Sequence, residues 1–229
     1  LDTGLWRAAV EQAAESNIGC RLKLTGVLNR ARWVDSGQAP RVREVDGSSW
    51  SGMSSDGAPF LTTRLFPETG TGCEILLIRG NPLRVVFRTH HAVMDGRGTQ
   101  TLAEDVFRAL RGEPLIGAEC REIEQVLARS FQDKSRSASP PRYIAPTGKA
   151  EGSGRDMFWR RIQVRGTYRK IVSQVAVLLG REARSHAPGP VRIGIPVDLR
   201  PRKSGLRSTS NLTNFIYVDV DPGDTYDDI

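Results

Sequence analysis

The stretch His90-His91-Ala92-Val93-Met94-Asp95-Gly96 decides how this chain is read. Strand character leads into it over Leu83-Arg84-Val85-Val86-Phe87-Arg88-Thr89, and helical character follows from about Thr99. Strand, polar loop and helix is the order in which α/β proteins place their site residues. Successive strand residues point to opposite faces. His90 and His91 are therefore expected to diverge, one toward a cavity and the other fixing the turn. Imidazole titrates near neutral pH, so it can take a proton from a hydroxyl or amine and return it. Asp95 can orient an imidazole or hold the loop by pairing with a distant arginine. Gly96 is expected to supply a backbone conformation that a Cβ would resist. Arg97, Gly98 and Thr99 then open a helix whose free N–H groups favour a developing oxyanion.

Two histidines and an aspartate also suggest a metal. Metal sites need three or four converging ligands, and the third histidine, His186, lies far off among loop-like residues. No metal is expected.

At His90–Gly96 the chain resembles the chloramphenicol acetyltransferase-like superfamily, whose motif is His-His-x-x-x-Asp-Gly. The group includes nonribosomal peptide synthetase condensation domains and related natural-product acyltransferases. The resemblance implies that His91 is the catalytic base, with His90, Asp95 and Gly96 supporting the motif. It also implies that Asp95 points away from substrate onto an arginine. A second segment, Ile195-Pro196-Val197-Asp198-Leu199-Arg200-Pro201-Arg202, is similar to a Val-Asp-Leu-Arg-x-Arg stretch of the same group, and makes Arg200 the expected partner of Asp95. A third, Ser210-Asn211-Leu212-Thr213-Asn214-Phe215, is similar to a Gly-Asn-x-x-x segment, with Ser210 in place of the glycine.

The fold so implied is α/β: a chloramphenicol acetyltransferase-like layered fold, a mixed sheet with flanking helices, and an incomplete second lobe. Residues 1–135 are expected to form an N-terminal acyltransferase lobe, 136–155 a linker or long loop, and 156–229 the beginning of a C-terminal lobe. The implied reaction moves an acyl or aminoacyl group from a pantetheine thioester to an amine or hydroxyl. The thioester is a co-substrate, on a peptidyl or acyl carrier protein or on coenzyme A, and no cofactor is expected to be tightly bound. The rest of the C-terminal lobe is an expected partner, and residues 1–229 alone are expected to be weak or inactive. The alternative is a non-catalytic fragment or degenerate lobe that binds a carrier protein or a partner lobe.

Composition agrees with a globular protein. The 229 residues carry 33 Lys and Arg against 26 Asp and Glu, a net charge of +7. The basic residues are scattered and interleave with no aromatic recognition motif, so nucleic-acid binding is not expected. No apolar run reaches membrane-spanning length, and no secretory leader is read at the N-terminus. Cys20, Cys73 and Cys120 have neither zinc nor disulfide spacing and are assigned to packing in a cytoplasmic protein.

The remaining pattern places a helix over Asp2–Ser16, with Leu5, Ala8, Ala9, Gln12 and Ala13 on one face. Strands are expected at Cys20–Leu28, Arg41–Val45 and Phe60–Phe66, with Trp50 anchoring the Gly/Ser-rich loop between the last two. A hairpin turns at Gly80-Asn81-Pro82. Thr99 is read as an N-cap for a helix carrying Leu102, Val106, Ala109 and Leu110. Further helices are expected at Arg121–Phe131 and after Thr167, the latter capped by Thr167 with Ile171, Val175, Leu178 and Leu179 on one face. Strands are expected at Met157–Val164, Val191–Val197 and Asn214–Val220, and a helix start at Asp224–Ile229.

Overall fold

A strand buried on both faces needs a layer on each side, and this chain has one. The computed structural model describes residues 2–70, 72–119 and 159–229. Along them run α1 (Thr3–Ser16), β1 (Leu22–Thr25), β2 (Arg32–Asp35), β3 (Arg41–Asp46), β4 (Cys73–Arg79), β5 (Arg84–Thr89), α2 (Gly96–Leu110), α3 (Ile171–His186), β6 (Val191–Asp198) and β7 (Thr213–Val220). In β4 every residue from Cys73 to Ile78 is buried. It is the centre of a three-stranded sheet, parallel to β3 and antiparallel to β5, so the sheet is mixed as expected.

The alternation of β4 feeds two cores. Ile75 and Leu77 pack with Val10, Ala13 and Ala14 of α1 and with Leu102 and Val106 of α2. Leu76 and Ile78 pack on the other face with Trp50 and Ala58. Each fully buried Leu or Ile contributes roughly 1.5–3 kcal/mol over its exposed state, which makes this run the main local determinant of the fold. Trp50 anchors its loop, donating from Nε1 to the Ser54 carbonyl at 2.8 Å and meeting Phe60 edge-on at 5.5 Å.

The described residues form two compact units. Residues 2–70, 72–119, 159–161 and 198–213 make the first, with the three-stranded sheet, the β1–β2 antiparallel pair and helices α1 and α2. Residues 162–197 and 214–229 make the second, with α3 and the paired strands β6 and β7.

Several elements differ from the sequence pattern. Phe60–Phe66 is no strand: Pro59–Leu61 forms a 3-10 turn and an irregular segment follows. Trp159–Val164, the described part of an expected strand, holds only an isolated bridge at Arg160. Residues 224–229 form turns rather than a helix start. In α1 the buried face is Ala9, Val10, Ala13 and Ala14, while Leu5 is exposed.

In α3 the N-cap is Lys170 rather than Thr167, and the shared face of large apolar residues is the exposed one. Ala176, Val177, Gly180 and Ala183 are buried, and Ile171, Val175, Leu178 and Leu179 are exposed. Small residues let this helix approach β7 closely: a Cβ on Gly180 would lie 2.8 Å from the Val220 side chain. The helix read at Arg121–Phe131, the 136–155 linker and Cys120 lie outside the described residues.

Candidate active site

β5 is built to deliver the motif. Its residues Arg84–Thr89 pair with β4, and the turn that follows is tied down at once. The His90 N–H donates to the Gly72 carbonyl at 2.7 Å, and the His90 carbonyl accepts from Val93 and Met94. His90 Nδ1 accepts from the Ala92 N–H at 3.2 Å. Val93 and Met94 are buried in the core under α1 and α2, so two of the three residues between His91 and Asp95 are anchors. The strand ends at Thr89, so strict alternation stops before the histidines. Both line one open cleft of about 810 Å³, with Thr89, Gly96, Thr99 and residues 62–65.

Asp95 faces away from that cleft into the protein. It is the true N-cap of α2, accepting from the Gly98 N–H at 2.7 Å, whereas the pattern had suggested Thr99. Thr99 sits one turn in; its hydroxyl bonds the Asp95 carbonyl and the Thr89 hydroxyl. Because Asp95 caps the helix directly, Gly96 takes ordinary helical backbone, and no atom lies within 4 Å of where its Cβ would be. Glycine is required two residues on instead. A Cβ on Gly98 would collide with the Thr209 carbonyl.

The structure brings Arg200 onto Asp95. Arg200 Nη2 and Nη1 reach the two carboxylate oxygens at 3.0 and 3.1 Å, a bidentate pair. Arg200 is 7% exposed and Asp95 2%, so the pair stands in a water-poor site. Such a pair is tolerated only if the remaining donors and acceptors are satisfied. Here they are. Arg200 Nε donates to the Ser208 carbonyl, Nη1 also to Asp198 and Nη2 also to the Ser210 carbonyl, so all five guanidinium N–H groups are used. Asp95 additionally accepts from the Leu212 N–H at 2.8 Å and the Thr213 hydroxyl at 2.9 Å. Burial alone would raise the Asp95 carboxyl. The Arg200 guanidinium, the Gly98 N–H and the Thr213 hydroxyl outweigh it and hold the group below the ordinary carboxylate value.

The same segment reaches His91. The Asn211 side-chain amide nitrogen lies 3.1 Å from His91 Nδ1 and 3.0 Å from the His91 carbonyl. Sequence reasoning assigned Asn211 no role, and nothing local could have done so, since the two residues are 120 positions apart. Arg88 was also missed. It lines the cleft, pairs with Glu74, and donates to the carbonyls of Phe60, Leu61 and Thr63, holding the wall opposite the histidines. Its position near the end of β5, two residues before His90, was the available signal.

Other candidates stand apart. His186 pairs with Glu182 at 3.3 Å within α3. Cys20 and Cys73 are buried and outside any disulfide, and burial pushes the Cys73 thiol up. Among the described residues no group of three or more His, Cys, Asp or Glu is arranged to hold a metal, and no helix is long and apolar enough to cross a membrane.

The site thus sets an acidic residue turned inward onto an arginine beside an imidazole on a cleft. The chain has the condensation-domain, chloramphenicol acetyltransferase-like fold. It is similar to the first condensation domain of the calcium-dependent antibiotic synthetase in complex with a substrate analogue, at 17% identity and a TM-score of 0.63, over 99% of this chain and 63% of that one. It is similar to a variant starter condensation domain of rhizomide synthetase in complex with C8-CoA, at 16% identity and a TM-score of 0.58, over 97% and 59%. It is also similar to the epimerization domain from the third module of tyrocidine synthetase B, at 13% identity and a TM-score of 0.56, over 98% and 61%. At these identities the likeness establishes the fold, and the chain spans about three-fifths of the length of each structure. No protein-family model matches the chain, and no curated protein matches it.

Proposed function

We infer that this chain carries the histidine half of a condensation-type acyltransferase site, acting in the cytoplasm. A pantetheine thioester, on a carrier protein or coenzyme A, meets an amine or hydroxyl in the cleft beside His91. The nucleophile attacks the thioester carbon, the C–S bond breaks, and an amide or ester forms. The proton lost by the nucleophile ends on the departing thiol. His91 handles that proton as a base or orients the reacting groups; which of these it does depends on where the neutral ring carries its own proton.

The observation that supports this reading is an exposed imidazole on an open cleft, carried by a turn whose next polar residue is locked by a fully satisfied buried ion pair. Positioning of this kind is where enzymes gain much of their rate. The remaining wall of the site belongs to the rest of the longer fold. The test is acyl transfer from acyl-pantetheine donors to amine and hydroxyl acceptors by the full-length polypeptide. Amide or ester formation is the expected outcome. Binding of a loaded carrier protein with no transfer to any acceptor would replace the enzyme reading with that of a binding module.

A further inference from the structure

We propose that Asn211 is a positioning residue that fixes the tautomer of His91, placing the proton of the neutral ring on Nε2. This rests on the reading of His91 as the group that faces the reacting species. One amide nitrogen, Asn211 Nδ2, lies against two atoms of the same residue, the His91 carbonyl at 3.0 Å and His91 Nδ1 at 3.1 Å. The carbonyl only accepts, so one amide hydrogen goes there. The second hydrogen points at Nδ1, and a bond forms only if Nδ1 holds a lone pair. A proton on Nδ1 would set two N–H donors against each other. Turning the amide over would bring its oxygen onto the His91 carbonyl oxygen, an acceptor facing an acceptor. The arrangement that satisfies all three groups leaves the ring proton on Nε2.

Nε2 has no protein partner among the described residues, and the residue lines the cleft. The resting ring therefore offers the cleft a hydrogen-bond donor. Such a group favours negative charge developing on a carbonyl oxygen. It cannot remove a proton through Nε2 until it has lost the one it carries. Asn211 in this way decides between the two roles left open for His91. Its neighbour Leu212 donates its backbone N–H to Asp95 at 2.8 Å, so the residue that sets the ring is seated on the same buried knot that holds the loop.

The test is 15N NMR of the 229-residue chain with labelled histidine, at alkaline pH. Three histidines make the spectrum assignable through His90→Gln, His91→Gln and His186→Gln. The expected result is a protonated-nitrogen shift for His91 Nε2 and an unprotonated one for Nδ1. Asn211→Leu should convert that single tautomer into a mixture. Asn211→Asp, whose carboxylate only accepts, should draw the proton to Nδ1 and exchange the two shifts. A wild-type His91 protonated on Nδ1, or a tautomer unmoved by both substitutions, overturns the assignment. A wild-type ring protonated on Nδ1 overturns the assignment even if no variant folds, whereas support for it comes from the change in tautomer on substitution. Acyl transfer plays no part in this readout. A chain that moves no acyl group in its full-length form, yet shows an Nε2–H ring whose tautomer changes on Asn211→Leu or Asn211→Asp, removes the proposed function and leaves the Asn211 assignment in place.

Discussion

Asp95 and His91 are four residues apart and live in opposite worlds. Asp95 is sealed, bonded by two side-chain and two backbone elements, and paired with an equally sealed arginine. His91 is exposed, with a single amide touching its ring. The contrast teaches that one short motif does two jobs. Its acidic end is mechanical, tying the β5–α2 turn to residues 198–213. Its histidine end stands exposed on the open cleft. Val93 and Met94, buried between them, are the lever that lets one end be rigid and the other accessible.

The strongest way to break that division is to remove Arg200. Arg200→Ala leaves the Asp95 carboxylate buried without its counter-charge, and loss of about 3–5 kcal/mol is expected in urea unfolding. A loss under about 1 kcal/mol would mean that the pair behaves like a surface bridge. A related test uses acid. The folded Asp95 and Asp105 carboxyls lie below their ordinary value; each is desolvated, and hydrogen bonds from Arg200 and from Asn17, Ile116 and Gly117 respectively outweigh that burial. Groups depressed in this way contribute stability above the unfolded carboxylate pKa and lose it as pH falls through the folded one. Stability should therefore fall with pH from about 4 downward, and Asp95→Asn should flatten that slope in a pH series of melts.

Smaller effects separate the two glycines. Gly98→Ala forces a Cβ into the Thr209 carbonyl and should cost about 1–3 kcal/mol in the same unfolding assay. Gly96→Ala meets open space and should be neutral or stabilising by about 0.4–1 kcal/mol. The opposite order would show that Gly96 holds the strained position. The smallest stability effect is expected at His91 itself, where His91→Ala should stay within about 0.5 kcal/mol of the parent.

The sequence made the sheet centre legible because it needed no distant partner. Glu74–Arg79 and Leu83–Thr89 flank Gly80-Asn81-Pro82 as the two arms of a hairpin, and the structure shows the first arm buried on both faces. The amphipathic pattern of α2 was equally clear, yet its start was set three residues late, because Thr99 and Asp95 are both good caps and only the tertiary bonds of Asp95 decide between them. Phe60–Phe66 looked like a strand from its apolar ends. Pro59 starts a 3-10 turn there instead, and Arg88 claims the carbonyls of Phe60, Leu61 and Thr63. The sequence pattern of α3 shows its large apolar residues sharing one face, yet its small residues are the buried ones because close approach to Val220 at Gly180 excludes larger ones. At the site, His90 through Gly96 and Arg200 stood out by motif. Asn211 stood in the Gly-Asn-like segment but had no role there, because its meaning lies in a contact across 120 residues.

The division between a mechanical and a chemical end is tested most directly by acyl transfer in the full-length polypeptide carrying His91→Ala. A fall in turnover of about a hundredfold or more, in a protein that melts like its parent, is the predicted result. Turnover equal to the parent's would contradict it and return the whole motif to architecture.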